Sequence, residues 1–221
     1  MKSQFQPWQL LLLLKGHGIE PAPDRRRQST WKSFLQAHWD ALASVDFTTI
    51  EVWTKSGLVT YYLLFVMKLA TRHVHFAGYT ANPDESWMCQ ASDAEGGFLR
   101  GKKFLLMDRG SKFSEAFRII LEQTGVEAVR LPARSPNLNP NLERFMRSAK
   151  EECLDRMIFF GERSLQVAVA EFLSHFHAER NHQGLGNRLI EPGEEVGRTA
   201  GAVACRERLG GMLRYYCRQT A

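Results

Sequence analysis

Cysteine is scarce in this chain: four in 221 residues, Cys89, Cys153, Cys205 and Cys217, with no Cys-x-x-Cys pair. Their spacings match no disulfide-dense scaffold, which excludes a small cross-linked secreted domain and suits reduced thiols. A zinc set made of His175, His177 and His182 with Cys205 and Cys217 is rejected, because eleven residues separate the cysteines and not two to four. Long apolar runs are also missing. The greasiest stretch, Leu10 to Leu14, lies between Trp8 and Lys15 and is too short to cross a bilayer. No small-x-small cleavage pattern follows it, which argues against a signal peptide. There is no internal repeat and no low-complexity segment. The charge imbalance is small, 29 Lys plus Arg against 24 Asp plus Glu, or +5. That excludes an acidic protein and tilts only slightly toward a polyanionic partner. What is present is an ordinary globular balance, 44% hydrophobic and 24% charged, enough for one real core with a short appendage.

Along the chain, Trp8 to Leu14 reads as a helix closed at Gly16, followed by a stiff basic linker, Glu20 to Arg27, with two prolines and three arginines. Thr30 to Trp39 is a second helical stretch, with Thr30 as a possible cap. Val45, Phe47, Ile50, Val52 and Trp53 then mark a strand. Leu58 to Met67 is apolar enough for a central strand covered on both faces, and Thr71 to Tyr79 gives a third; short turns make these an antiparallel meander. Asn82-Pro83-Asp84-Glu85 starts a helix that ends by Gly96. Phe104 to Met107 is a buried strand, Ser111 to Thr124 a helix and Val126 to Leu131 a fifth strand, in parallel through a right-handed crossover. Pro132 to Asn141 is a loop; Leu142 to Met157 and Ser164 to Arg180 are helices. Tyr61, Tyr62, Phe65, Phe159 and Phe160 read as core. The pattern gives no fold for residues 194–221.

Three acids stand in awkward places: Asp46 within the first strand, Asp108 at the end of Phe104-Leu105-Leu106-Met107, and Glu143 at a helix start after the Pro/Asn loop. A carboxylate in an apolar strand is costly unless something pairs with it. Taken singly, Asp46 could be an edge position, Asp108 a capped turn and Glu143 a partner of the helix dipole. Taken together, the first and fourth strands of such a sheet can lie side by side, and the later helix can bring Glu143 to the same point. Three converging hard-oxygen ligands suit Mg²⁺ or Mn²⁺, not Zn²⁺. Two such ions about 4 Å apart would activate a water or a 3′-hydroxyl and stabilise the leaving oxygen of a phosphodiester.

The set Asp46-Phe47-Thr48, Asp108-Arg109-Gly110-Ser111-Lys112-Phe113 and Ser135 to Arg144, with its Pro-Asn-Leu-Asn-Pro-Asn-Leu-Glu run, resembles the integrase catalytic core. That is the Asp-Asp-Glu transposase and retroviral integrase superfamily. The separation 143 − 108 = 35 is typical of its insertion-sequence branch. Lys150-Glu151-Glu152-Cys153-Leu154 and His177 to Leu185 are also similar to bacterial integrase-core transposases. The resemblance covers roughly residues 42–193.

The resemblance implies an α/β fold, ribonuclease H-like, with a five-stranded mixed sheet flanked by helices. It implies three regions: 1–40, an N-terminal helix and basic linker like the remnant of a helix-turn-helix region; 41–193, the integrase core; and 194–221, a C-terminal tail. It implies a Mg²⁺-dependent (or Mn²⁺-dependent) polynucleotidyl transferase with two ions held by Asp46, Asp108 and Glu143. The activity would be DNA 3′-end cleavage and strand transfer, without a covalent enzyme intermediate. Arg147 and Lys150, four and seven residues after Glu143 on its face, Lys112, and Asn137 in the loop would touch DNA. The partners implied are transposon-end and target DNA and further copies of the chain, with no membrane, in the bacterial cytosol at the nucleoid. Two alternatives stay open: a nuclease of the same fold that does not join strands, and an inactive DNA-binding remnant.

Overall fold

The thirteen-residue strand β1 (Leu42–Thr54) organises the sheet. Its first four residues are buried on both faces, as a central strand requires. In a computed structural model, which describes residues 31–95, 99–108, 110, 112–131 and 139–219, β1 pairs antiparallel with β2 (Gly57–Lys68), and β2 pairs antiparallel with β3 (Val74–Thr80). On its other side β1 runs parallel to β4 (Phe104–Met107), which is parallel to β5 (Glu127–Arg130). The order is β3-β2-β1-β4-β5, the five-stranded mixed sheet expected from the sequence. A two-residue strand, β6 (Phe159–Phe160), adds to the far end of β1. Phe159 is buried as expected, but Phe160 is 73% exposed. The core assignment fails there because adjacent strand residues point to opposite faces.

Alternation along β1 sorts its side chains onto two layers. Ala43, Val45 and Phe47 join Leu64, Val66, Leu105 and Met107 against one pair of helices: α2 (Glu85–Glu95), through Met88 and Ala91, and α3 (Glu115–Gln123), through Phe117 and Leu121. Ser44, Asp46 and Thr48 face the other way, opposite Met67, Phe65 and Leu63 of β2. That face is covered by α4 (Pro140–Glu152) and α5 (Glu162–Ala178). The Phe145 ring of α4 lies 5.2 Å from Phe65 and 4.9 Å from Phe176 of α5. Asp46 therefore sits on the α4 face by strand alternation alone.

Element boundaries shift where capping chemistry decides them. Helix α2 starts at Glu85 with the Asp84 side chain, not Asn82, accepting from the Trp87 N–H. Helix α3 starts at Glu115 rather than Ser111, because Ser114 caps it by accepting from the Phe117 N–H. β3 starts at Val74, not Thr71, since Arg72 takes a left-handed turn conformation, φ 63°. The tail, unread from the sequence, forms an antiparallel hairpin of β7 (Val203–Arg208) and β8 (Leu213–Arg218). It is tied to the end of α5 through Glu179, whose side chain is fully buried and accepts from His175, Arg206 and Arg208.

The chain divides after His38 into two compact units. The described part of the first is helix α1 (Trp31–His38), in which the Phe34 and His38 rings lie 4.9 Å apart. The expected helix at Trp8 to Gly16, the linker at Glu20 to Arg27 and the Thr30 cap lie outside the described residues, as does the loop 132–138.

Candidate active site

Three elements aim acids at the α4 face of the sheet. The parallel register ends at the pair Ser44 and Leu106; Asp46 and Asp108 each lie two residues further along their segments, and the charge of Asp108 acts on Asp46. Asp46 is half-buried, and its Oδ1 accepts the Phe47 N–H at 2.7 Å. Burial pushes its carboxyl up to about 6. The Phe47 N–H opposes that rise, the negative charges of Asp108 and Glu143 add to it, and Lys112 opposes it. Two further acids thus act electrostatically on Asp46, against one cation. Removing a carboxylate from water and surrounding it with like charges both favour its neutral form.

Asp108 is exposed, just beyond the end of β4. Its Oδ1 accepts the Gly110 N–H at 2.9 Å. A Cβ on Gly110 would lie 2.9 Å from that same oxygen, so only glycine fits there without moving the carboxylate. The bond and the close approach explain why the aspartate is followed two residues later by glycine. Glu143 lies in the first turn of α4, which Pro140 opens. Phe145, anchored against Phe65 and Phe176, fixes the rotation of that helix. Beside Glu143's turn, the Asn139 side chain is buried with its Oδ1 unpartnered and makes no capping bond.

Of the expected DNA-contacting residues, Arg147 is exposed and Lys150 half-exposed on α4. Lys112 lies near Asp46, with its ammonium over the rings of Tyr62 (4.3 Å) and Phe47 (5.0 Å). Tyr62 is only partly buried, so it serves as a rim for that lysine rather than as deep core. Cation–π contact of this kind fixes a flexible ammonium in one place. Asn137 lies outside the described residues.

The donor set fits a hard divalent cation: oxygen ligands only, on one face, carrying excess negative charge. The three carboxylates are not gathered within 4.8 Å of one another. Among the described residues the trio that is so gathered is His73, His177 and Glu191. Its groups are otherwise engaged. His177 Nε2 accepts the Val74 N–H at 3.0 Å, His73 Nε2 bonds Glu191 at 2.7 Å, and the two rings stack 4.3 Å apart. Burial, with His73 and His182 nearby, pushes His177 down to about 4, against the opposing charge of Glu191. The remaining histidines of the rejected zinc set bond elsewhere, His175 to Glu179 and His182 to the Phe176 carbonyl.

Residues 124–189 match the family model of the integrase core domain. The structure is similar to the HTLV-2 integrase catalytic core domain solved in complex with magnesium in a dimeric form: TM-score 0.53, 12% identity, covering 68% of this chain and 93% of that one. The chain has the fold of these integrase cores, which is ribonuclease H-like. The trimeric form of the same HTLV-2 domain gives a TM-score of 0.52 at 12% identity, with the same coverage. A chain of the simian T-cell lymphotropic virus intasome, solved with the PP2A regulatory subunit B56 gamma, gives 0.51 at 12% identity, covering 81% of this chain and 67% of that one. No curated protein matches the sequence. The family match supports an integrase- or transposase-type function. Among the described residues, no helix is long and apolar enough to cross a membrane.

Sequence reasoning missed two parts of this site. Gly110 is legible in hindsight, as a glycine two residues after an acid at a strand end. The Lys112 platform is not, since Phe47 and Tyr62 come together only through the β1–β2 pairing.

Proposed function

We propose that this integrase core is a DNA transposase or integrase that cuts 3′ ends and joins them to target DNA, using divalent cations held by Asp46, Asp108 and Glu143. One observation carries the reading: Asp46, already desolvated, feels the charges of both Asp108 and Glu143. A fold with no use for that cluster would be more stable without it.

When bound, Mg²⁺ or Mn²⁺ ions supply the positive charge that activates an attacking hydroxyl and stabilises the leaving oxygen. The chain's own residues do the rest. Asp46 holds its carboxylate on the rigid centre of the sheet. Gly110 orients the Asp108 carboxylate through its N–H. Glu143 closes the cluster from α4. Arg147 and Lys150, on the same face of α4 as Glu143, and Lys112 at the rim draw the phosphate backbone toward the acids. Recognition of paired DNA ends by several copies of the chain, in a bacterial cytosol, completes the proposal.

The test is an assay for products, with labelled duplex DNA in Mn²⁺. Joined strands that vanish in Asp108→Asn are the expected outcome. Nicks without joining would instead favour a hydrolytic nuclease of the same fold. Equal activity in wild type and Asp108→Asn would defeat the site assignment, and no cutting by either would favour an inactive remnant.

A further inference from the structure

A second cleft lies on the other side of α4, between that helix, the end of α5 and the turn joining β2 to β3. Its volume is about 320 Å³, and Arg72, Asn141, Arg144, Ser148 and Gln183 are among its lining residues. Asn141, Arg144, Phe145 and Ser148 follow the i, i+3, i+4, i+7 pattern of one helix face. Glu143, Arg147 and Lys150 form another. At about 100° per residue the two stripes are centred roughly 140° apart, so one phosphate cannot touch both.

The cleft's charge is positive and unbalanced. Among the described residues, no carboxylate lines it. Arg180 also lines it but is already held by Glu152 at 2.6 Å. Arg72 and Arg144 have no such partner in the cleft, and they repel: burial, then the charge of Arg144, lowers the pKa of Arg72. The Arg72 Nη1 is buried without a hydrogen-bond partner, which is costly for a cationic donor. The residue also holds a left-handed backbone, φ 63°, unusual for a long side chain. Its guanidinium lies 5.4 Å from the centre of the Trp39 ring, which keeps it from swinging into solvent. An unsatisfied, braced guanidinium facing a second one is an arrangement that an oxyanion would complete with paired hydrogen bonds.

We propose that this cleft binds a phosphoryl oxyanion, and that its natural occupant is a phosphodiester of a nucleic-acid strand. The choice of a strand over free phosphate rests on the DNA function proposed above; the anion site itself does not. Two features favour the strand. The cleft is larger than one phosphate needs, and its apolar lining of Met67, Phe145 and Phe176 beside the amides of Asn141, Asn181 and Gln183 suits an attached sugar or base. The strand bound here is a segment other than the one at the acids.

The test uses the full chain in chelator, so that cleavage plays no part. Binding of a labelled single-stranded oligonucleotide is measured across a salt series, alongside inorganic phosphate as a competitor and as a thermal stabiliser. Arg144→Ala removes an exposed side chain and is expected to weaken oligonucleotide binding about five- to tenfold, with the log–log salt slope smaller by about 0.7. Ser148→Glu, which places a negative charge in the cleft wall, should do at least as much. Arg163→Ala removes an equal charge from an exposed position outside the cleft and should leave binding within twofold. Phosphate should compete in the wild type and fail to stabilise Arg144→Ala. If Arg144→Ala and Ser148→Glu bind both ligands as the wild type does, the anion site is overturned. If they lose phosphate but bind the oligonucleotide unchanged, the nucleic-acid occupant is overturned. Loss of oligonucleotide binding in a protein that cuts no DNA would still support the cleft, so its fate and that of the acid cluster are separable.

Discussion

Asp46→Asn is expected to abolish metal-dependent strand cleavage, by about 1,000-fold or more, while making the metal-free protein more stable. The two effects have one cause. Asp46 is held where its charge is useful to a cation and costly without one. Its carboxyl is pushed up from 3.8 to about 6, first by burial and then by Asp108 and Glu143. A group with a raised folded-state pKa contributes its stability below its unfolded pKa and loses it as pH rises through the folded one. The wild type should therefore be level with Asp46→Asn below about pH 4 and fall behind between about pH 4 and 6. At pH 7 the gap should be about 1–3 kcal/mol, the upper figure being the full shift at about 1.4 kcal/mol per unit. Asparagine keeps an oxygen to accept the Phe47 N–H, so that bond survives. Thermal melts across this range, with and without Mg²⁺, check both halves. Mg²⁺ should raise the melting temperature of the wild type and leave that of Asp46→Asn almost unchanged. A variant less stable than the wild type at pH 7 in chelator would contradict the electrostatic explanation.

Glu179→Gln should cost about 2–3 kcal/mol and release the C-terminal hairpin before the core unfolds. The Glu179 side chain is fully buried at the end of α5, with Arg208 at 2.8 Å, His175 at 3.0 Å and Arg206 at 3.2 Å. Burial alone would raise its pKa, but the bonds from Arg208, His175 and Arg206 hold the carboxyl below its ordinary range. Removing one partner of such a buried cluster leaves the others' charge uncompensated, typically about 3–5 kcal/mol. A loss at or just below the bottom of that range is expected here because Arg206 is 44% exposed and can return to water. A second tie, the Leu209 N–H to Glu171 at 2.6 Å, should delay full detachment. Hydrogen exchange is the deciding measurement. Amides of β7 and β8 should lose protection in Glu179→Gln while those of β1 and β2 keep theirs. Uniform loss across all four strands would mean that the hairpin is part of the global folding unit.

How much of this was legible depends on the range of the interactions involved. The sheet followed from local patterns: near-continuous apolar residues in β2, acids interrupting β1 and ending β4, and a helix between β4 and β5 that forces a parallel crossover. Asp46 and Asp108 drew attention because each breaks an apolar segment. Glu143 stood out less, since a glutamate at a helix start is also explained by the helix dipole, and it gained its place from the other two acids. The hairpin was illegible because its short strands are rich in arginine, Arg206, Arg208, Arg214 and Arg218, which masks the brief alternation of Leu213, Tyr215 and Cys217. What docks it are two glutamates, Glu171 on α5 and Glu179 at its end. A local clue was present in Gly210 and Gly211, both with left-handed φ in the turn, but a turn signal between charged strands does not reveal a partner. The cleft was hidden for the same reason. Arg72 belongs to a turn and Arg144 to a helix, and only the packing of α4 beside β2 brings them to one cavity.

The most direct test is a crystal of the wild-type protein grown or soaked in Mn²⁺ and measured at an anomalous wavelength. The expected result is manganese bound by oxygens of Asp46, Asp108 and Glu143, with the three carboxylates drawn closer together than in the metal-free fold. Manganese absent from that face, or bound only at His73, His177 and Glu191, would contradict the assignment of the three acids as the metal site.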